Sequence, residues 1–159
     1  MRIIGVDPGL TKTGVGIIDV NGSNLTYVAS KTIYSDTKTD LADRLLHFHE
    51  NLNAIIKEFN PDVAAIEETF VNKNPLSSLK LGHARGVLMV TLAIAGLKVH
   101  EFSATSVKKT VVGVGRADKD QVQMMVKIIL PKAVIESEDE ADALAVAICY
   151  NSNIRSYLE

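Results

Sequence analysis

Residues 1–20 read MRIIGVDPGLTKTGVGIIDV, and this stretch decides the fold. The run RIIGVD (2–7) is apolar until its last residue, Asp7, where the turn PGLTKTG begins. GVGIIDV (14–20) returns as a second β-like run, NGS (21–23) supplies a hairpin-type turn, and 24–34 reads as a third strand with a YVAS core. Three strands joined so closely predict an antiparallel meander. The first strand carries an acid at its very tip. A carboxylate there is costly unless something partners it.

Working outward, apolar residues at Leu41, Leu45, Phe48, Leu52, Ile55 and Phe59 recur with helical spacing. They predict an amphipathic helix over 40–59, capped by Thr39 or Asp40 and stopped at Asn60-Pro61. VAAIEE (63–68) is a short apolar strand that again ends in acid, followed by the loop FVNKNP. Residues 76–95 predict a helix apolar nearly all round and therefore well buried. Its Gly82 and Gly86 are one turn apart and suit close packing, either onto the sheet or across a dimer. KVHEF (98–102) reads as a fifth strand, followed by a short helix near 103–110, the loop VVGVGRAD, a helix over 118–130 and a final helix over 139–150. NSNIRSYLE either extends that helix or frays. The order predicts an α/β fold with a mixed sheet flanked by helices, as one domain over 1–159.

The 159 residues are 47% hydrophobic, with no apolar run of membrane-spanning length and an acid too early for a signal peptide. The lone Cys149 makes no internal disulfide and reads as a small core residue, in keeping with a reducing, cytoplasmic setting. The net charge of −2 hides an uneven distribution. Residues 71–132 hold ten Lys and Arg against three acids, whereas AVIESEDEAD (133–142) holds five acids and no base. A basic face beside a carboxylate knot suggests a polyanion held near a metal; solvated helix faces are the plainer explanation.

Two strands end in acid, Asp7 on the first and Glu67 or Glu68 on the fourth. If these strands are parallel neighbours, the acids stand side by side at their carboxyl ends, where α/β sheets place their sites. Close carboxylates repel, and a divalent cation relieves the conflict. Asp139 and Asp142 are three apart and share a helix face, which makes them further ligand candidates. Glu136, Glu138 and Glu140 are read instead as charge complementing a helix N-terminus. Four carboxylates suit Mg²⁺, or Mn²⁺ in its place, and two such ions support phosphodiester hydrolysis. The histidines, His47, His49, His83 and His100, show no zinc-like spacing.

The stretches IIGVDPGLTKTGVGII, AAIEETFVNKN, LKLGHARGVLM, SVKKTVVGVGRADKDQVQ and DEADALAVAI, in that order, resemble the RuvC family of bacterial Holliday-junction resolvases nearly end to end. The resemblance implies an RNase H-like fold, a five-stranded mixed sheet with the first three strands antiparallel. It also implies a Mg²⁺-dependent endodeoxyribonuclease, acting as a homodimer on four-way junction DNA with the RuvA–RuvB branch-migration machine. The family's catalytic carboxylates fall on Asp7, Glu67, Asp139 and Asp142. Its DNA-contacting lysines look like Lys108 and Lys119, and its stacking aromatic like Phe70.

Physical readings stand beside these assignments. Lys108, Lys109, Arg116 and Lys119 bracket Gly113 and Gly115, so a basic loop there can follow a phosphate backbone; a solvated loop is the alternative. Lys119 would also steady transition-state charge. Phe70 either stacks on a base or anchors its loop in the core. Lys73, Lys80 and Arg85 are further candidates for the DNA face. Three rival readings are disfavoured by the sequence. DPGLTKTG is similar to the first phosphate loop of actin and sugar kinases, but no second Gly-rich loop occurs. A ribosomal-RNA-processing RNase H-like relative would not be expected to carry the full FVNKN and KKTVVGVGRADK stretches. A non-catalytic junction binder would need a lost ligand, and all four acids are present.

Overall fold

The computed structural model describes residues 1–69 and 73–156, with side chains through 154. Five strands form one sheet: β1 (Arg2–Asp7), β2 (Lys12–Asn21), β3 (Asn24–Tyr34), β4 (Val63–Glu67) and β5 (Val99–Phe102). Their order is β3-β2-β1-β4-β5. β2 pairs antiparallel with β1 and β3, while β4 lies parallel to β1 and β5. The meander and the mixed sheet are therefore as expected. β2 begins two residues early and so narrows the turn after Asp7 to residues 8–11.

The helices are α1 (Leu41–Phe59), α2 (Pro75–Ile94), α3 (Ala104–Val112), α4 (Lys119–Ile129) and α5 (Glu138–Ser156). Alternation along the strands assigns each its face. Ile4, Val6, Val15, Ile17 and Ile66 pack with Phe48, Leu52, Leu88 and Leu92 of α1 and α2. Ile3, Ile18 and Ala65 pack on the other side with α3, α4 and α5. Residues Ala143–Tyr150 of α5 are all buried, and Cys149 is among them as expected.

Local chemistry fixes the helix ends. Asn74 accepts hydrogen bonds from the backbone N–H groups of Leu76 and Ser77, with Pro75 in the first turn of α2. Asp118 and Gln121 form a reciprocal capping box on α4. Asp40 occupies the cap position of α1, but its side chain makes no capping bond. Thr39 does not cap the helix either; its hydroxyl donates to the Asp36 carbonyl at 2.9 Å. Asn60 ends α1 in the left-handed region at φ 46°, directly before Pro61.

The expectation that α2 is well buried fails. Only Ala84, Leu88, Thr91 and Leu92 of this helix are buried. Leu76, Leu79, Val90 and Ile94 are exposed by 69%, 60%, 50% and 73%. A Cβ added at Gly82 or Gly86 would meet nothing within 4 Å, so neither glycine packs onto the sheet. The reason is geometric: α1 already covers the sheet beside α2, so one stripe of α2 suffices to close the core and the opposite stripe is left bare.

Candidate active site

The site grows from one row of residues across the sheet. The register pairs Thr32 with Gly14 and Gly14 with Asp7, and β4 lies parallel on the other side of β1 with Glu67 at its tip. The next row pairs Ser30 with Gly16, Gly16 with Gly5, and Gly5 with Ala65. Alternation turns all of these side chains toward α5. Glycine is required here because the helix lies almost on the strands. A Cβ on Gly14 would fall 1.9 Å from the Asp139 carbonyl oxygen, and one on Gly5 would fall 2.1 Å from that of Ala143. This glycine seat brings the first turn of α5 down beside Asp7.

Asp7, Glu67 and Asp142 line one cleft of about 240 Å³ with Lys108 and Lys119; Ala104, Val107 and Val122 form its apolar wall. Glu68, which points to the opposite face, is not part of it; its backbone N–H donates to the Phe102 carbonyl at 2.8 Å. Asp139 stands at the rim and lines the neighbouring groove with Pro8–Lys12, Ser77, Lys80 and Leu81. Among the described residues, no three Asp, Glu, His or Cys side chains already converge on one point as a closed metal centre. The four carboxylates share a site in two adjoining compartments.

Electrostatics expose the conflict. Burial, then Glu67, Asp142 and Asp139, push the Asp7 carboxyl up to about 8, against the pull of Lys119. Burial and Asp142 push Glu67 up to about 7, opposed by Lys108 and Lys119. Burial raises Asp142 as well, Lys119 opposing. The Asp7, Glu67 and Asp142 side chains are half-buried where they open on the cleft. Half-buried, mutually repelling oxygen donors that open on one cleft fit a hard divalent cation, which would supply the missing charge.

The basic candidates divide. Lys108 and Lys119 face the cleft. Lys119 also donates to Glu138 at 3.1 Å, but both side chains are more than half exposed, so this pair holds the lysine only weakly. Lys80 borders the second groove, where Lys12, absent from the sequence-based candidates, joins it. Lys73, Lys109 and Arg116 are exposed, and Phe70 lies outside the described residues. Arg85, a candidate for the DNA face, is engaged within the fold. Its guanidinium donates to the Glu67 carbonyl at 3.2 Å and to the Glu101 carboxylate, bracing the tip of β4 from α2.

The histidines and the acidic knot make contacts that the spacing did not specify. His49 Nδ1 lies 2.8 Å from the Thr91 hydroxyl and ties α1 to α2, while His100 packs edge-on against Tyr150. Glu140, read as charge complementing the helix N-terminus, does lie in the first turn of α5, but it is buried at 4% exposure and hydrogen-bonded. The motif S-x-x-E at 137–140 was the sequence signal for that role.

Helices on both faces of a sheet ordered β3-β2-β1-β4-β5, with carboxylates at the tips of β1 and β4 and on α5, define an RNase H-like nuclease. Comparison with known proteins narrows the class. Residues 3–150 match the family described as crossover junction endodeoxyribonuclease RuvC. The RuvC of Rhizobium etli is 52% identical over 153 residues, covering 96% of this chain and 90% of the relative. That of Xanthobacter autotrophicus is 54% identical over 150 residues, covering 94% and 89%. The structure of Thermus thermophilus RuvC in complex with a Holliday junction substrate superposes with a TM-score of 0.91 at 28% identity, over 99% of this chain and 96% of that one. This chain belongs to the RuvC family of crossover junction endodeoxyribonucleases, which are metal-dependent nucleases. None of its described helices is long and apolar enough to cross a membrane.

Proposed function

We propose that this chain, as one nuclease domain, resolves four-way DNA junctions in recombination and repair by paired symmetric nicks. The observation that carries the mechanism is the cleft itself. Asp7 and Glu67, at the ends of parallel neighbours, share it with Asp142 and with two lysines. Asp7, Glu67, Asp142 and, from the rim, Asp139 would hold Mg²⁺, with Mn²⁺ as a substitute and two ions per site. When bound, the ions favour ionisation of the attacking water and steady the leaving oxygen.

The chain's own groups do the rest. Lys108 and Lys119 draw the scissile phosphate into the cleft and offset its developing charge. Lys80 and Lys12 track the backbone along the adjoining groove, and Lys73, Lys109 and Arg116 extend the positive face. Phe70 stacks on a base near the junction centre.

Two copies match a two-fold substrate. The bare stripe of α2, from Leu76 through Val90 to Ile94, is the surface for that homodimer, and Gly82 and Gly86 let the two helices approach. By family likeness the partner machine is RuvA–RuvB, and the setting is the cytoplasm.

The test compares a synthetic four-way junction with a duplex of the same sequences, in Mg²⁺ and in EDTA. Paired nicks confined to the junction and lost in EDTA are expected. Equal cutting of both DNAs would refute junction resolution.

A further inference from the structure

Glu140 lies between Asp139 and Asp142, yet it faces neither the cleft nor solvent. Its Oε2 accepts hydrogen bonds from the Ser30 hydroxyl at 2.8 Å and the Glu136 backbone N–H at 3.1 Å. Its Oε1 accepts from the Thr32 hydroxyl at 3.3 Å. Ser137 closes the knot: its Oγ accepts from the Glu140 backbone N–H at 3.2 Å and lies 2.6 Å from Thr32 Oγ1. The Tyr27 hydroxyl donates to the Val134 carbonyl at 3.1 Å, and Ser30 Oγ lies 3.1 Å from the same oxygen. The segment entering α5 and its first turn are thus tied, across more than a hundred residues of sequence, to the edge strand β3.

The register gives this tie its consequence. Thr32 pairs with Gly14, and Gly14 with Asp7. The first turn of α5 lies across that row. Ser137 bonds to Thr32 at the outer end, and the Asp139 backbone rests against Gly14 in the middle. The glycines permit close approach but do not set where the turn stops; a directional bond at the edge does. A buried carboxylate without donors is strongly unfavourable, so Glu140 has little freedom to leave its three partners. Asp139 and Asp142 belong to the same helical turn and move with it.

We propose that Glu140 is a positioning residue: through Ser30 and Thr32 it sets the depth and rotation of the first turn of α5, and thereby aims Asp139 and Asp142 at Asp7. The edge strand, which carries no reacting group, becomes part of the machinery. The inference rests on the reading of Asp139 and Asp142 as metal ligands.

The test uses the full chain with Glu140→Ala, Glu140→Gln and the double variant Ser30→Ala/Thr32→Val, which loosens the same tie from the strand side. Ile148→Val, a core change on α5 away from the cleft, controls for lost stability. Readouts are kcat and KM on a four-way junction, the Mg²⁺ concentration for half-maximal rate, and the rise in Tm on adding Mn²⁺. Displacements near 1 Å at a reacting centre, or loss of a group supporting a metal ligand, cost roughly 10–100-fold. Glu140→Ala and the strand variant are therefore expected to lower kcat and raise the Mg²⁺ requirement by about tenfold or more, with KM within about twofold. Their Mn²⁺-induced Tm rise should shrink, and Glu140→Gln, which keeps the shape and an acceptor, should fall between them and wild type. Variants that only melt earlier, like Ile148→Val, with wild-type kcat and Mn²⁺ response, would reduce Glu140 to a helix cap and overturn the proposal. A wild type that neither cuts the junction nor responds to Mn²⁺ would instead overturn the metal-site reading, and this inference with it.

Discussion

Replacing Asp7 by Asn should destroy the nuclease and stabilise the protein in EDTA. Asp7 carries the largest electrostatic strain in the site, its carboxyl held at about 8 rather than its ordinary 3.8. Each pH unit between those values corresponds to about 1.4 kcal/mol, so the four-unit gap sets a ceiling of about 6 kcal/mol. Glu67 and Asp142 feel the same repulsion and can hold the proton in its place, which leaves about half, ~3 kcal/mol, for Asp7→Asn to release. In a chain of this size that is about 6–12 °C in Tm. The sign follows from the raised value. The folded state keeps its proton longer than the unfolded one, so wild type loses stability as pH climbs from about 4 to about 8. The variant, which does not ionise, is spared that loss. Thermal melts of both proteins in EDTA from pH 4.5 to 8.5 should coincide at the acid end and diverge as pH rises. In Mg²⁺ the order should reverse, because only wild type gains from binding a cation. A variant less stable than wild type in EDTA at pH 8.5, or a gap that does not grow with pH, would show that Asp7 is not strained by its neighbours.

Other outcomes follow from the same geometry. Gly14→Ala drives a Cβ to 1.9 Å from the Asp139 carbonyl oxygen, so α5 must lift; about 1–3 kcal/mol of stability and roughly 100-fold of kcat should be lost, by denaturant melts and junction cleavage. Lys108→Met removes a cation from the cleft and should lower the slope of log affinity against log salt by about one, measured by junction binding in Ca²⁺. Arg85→Met removes the brace on the Glu67 carbonyl, and should lower kcat more than it weakens junction binding. Leu79→Lys with Val90→Lys places charge on the bare stripe of α2 and should yield monomers by sedimentation while leaving the fold intact by circular dichroism.

The strand plan was legible because RIIGVD, GVGIIDV and VAAIE are short apolar runs bounded by turn residues, and two of them end in acid. That ending also marked the site: alternation allowed only one of Glu67 and Glu68 on the face shared with Asp7, and the family resemblance chose Glu67. The burial of α2 was not legible. Its composition is apolar all round, and sequence cannot tell a helix enclosed by its own chain from one with a face left bare. The partners of Glu140 and Arg85 were not legible for a related reason. A charge in a cluster of charges looks solvated or ligand-facing until the fold brings Ser30, Thr32 and Glu101 from distant strands. Gly14 and Gly16 were read as strand glycines, and only the seat of α5 shows why no side chain fits there.

Anomalous scattering at the manganese edge, from crystals soaked in Mn²⁺, decides whether the Asp7 cleft is a metal site. Density is expected between the Asp7, Glu67 and Asp142 carboxylates, with Asp139 closing in from the rim, and none in Asp7→Asn crystals. Density elsewhere, or an empty cleft in a preparation that cuts junctions in Mn²⁺, would contradict a metal site there.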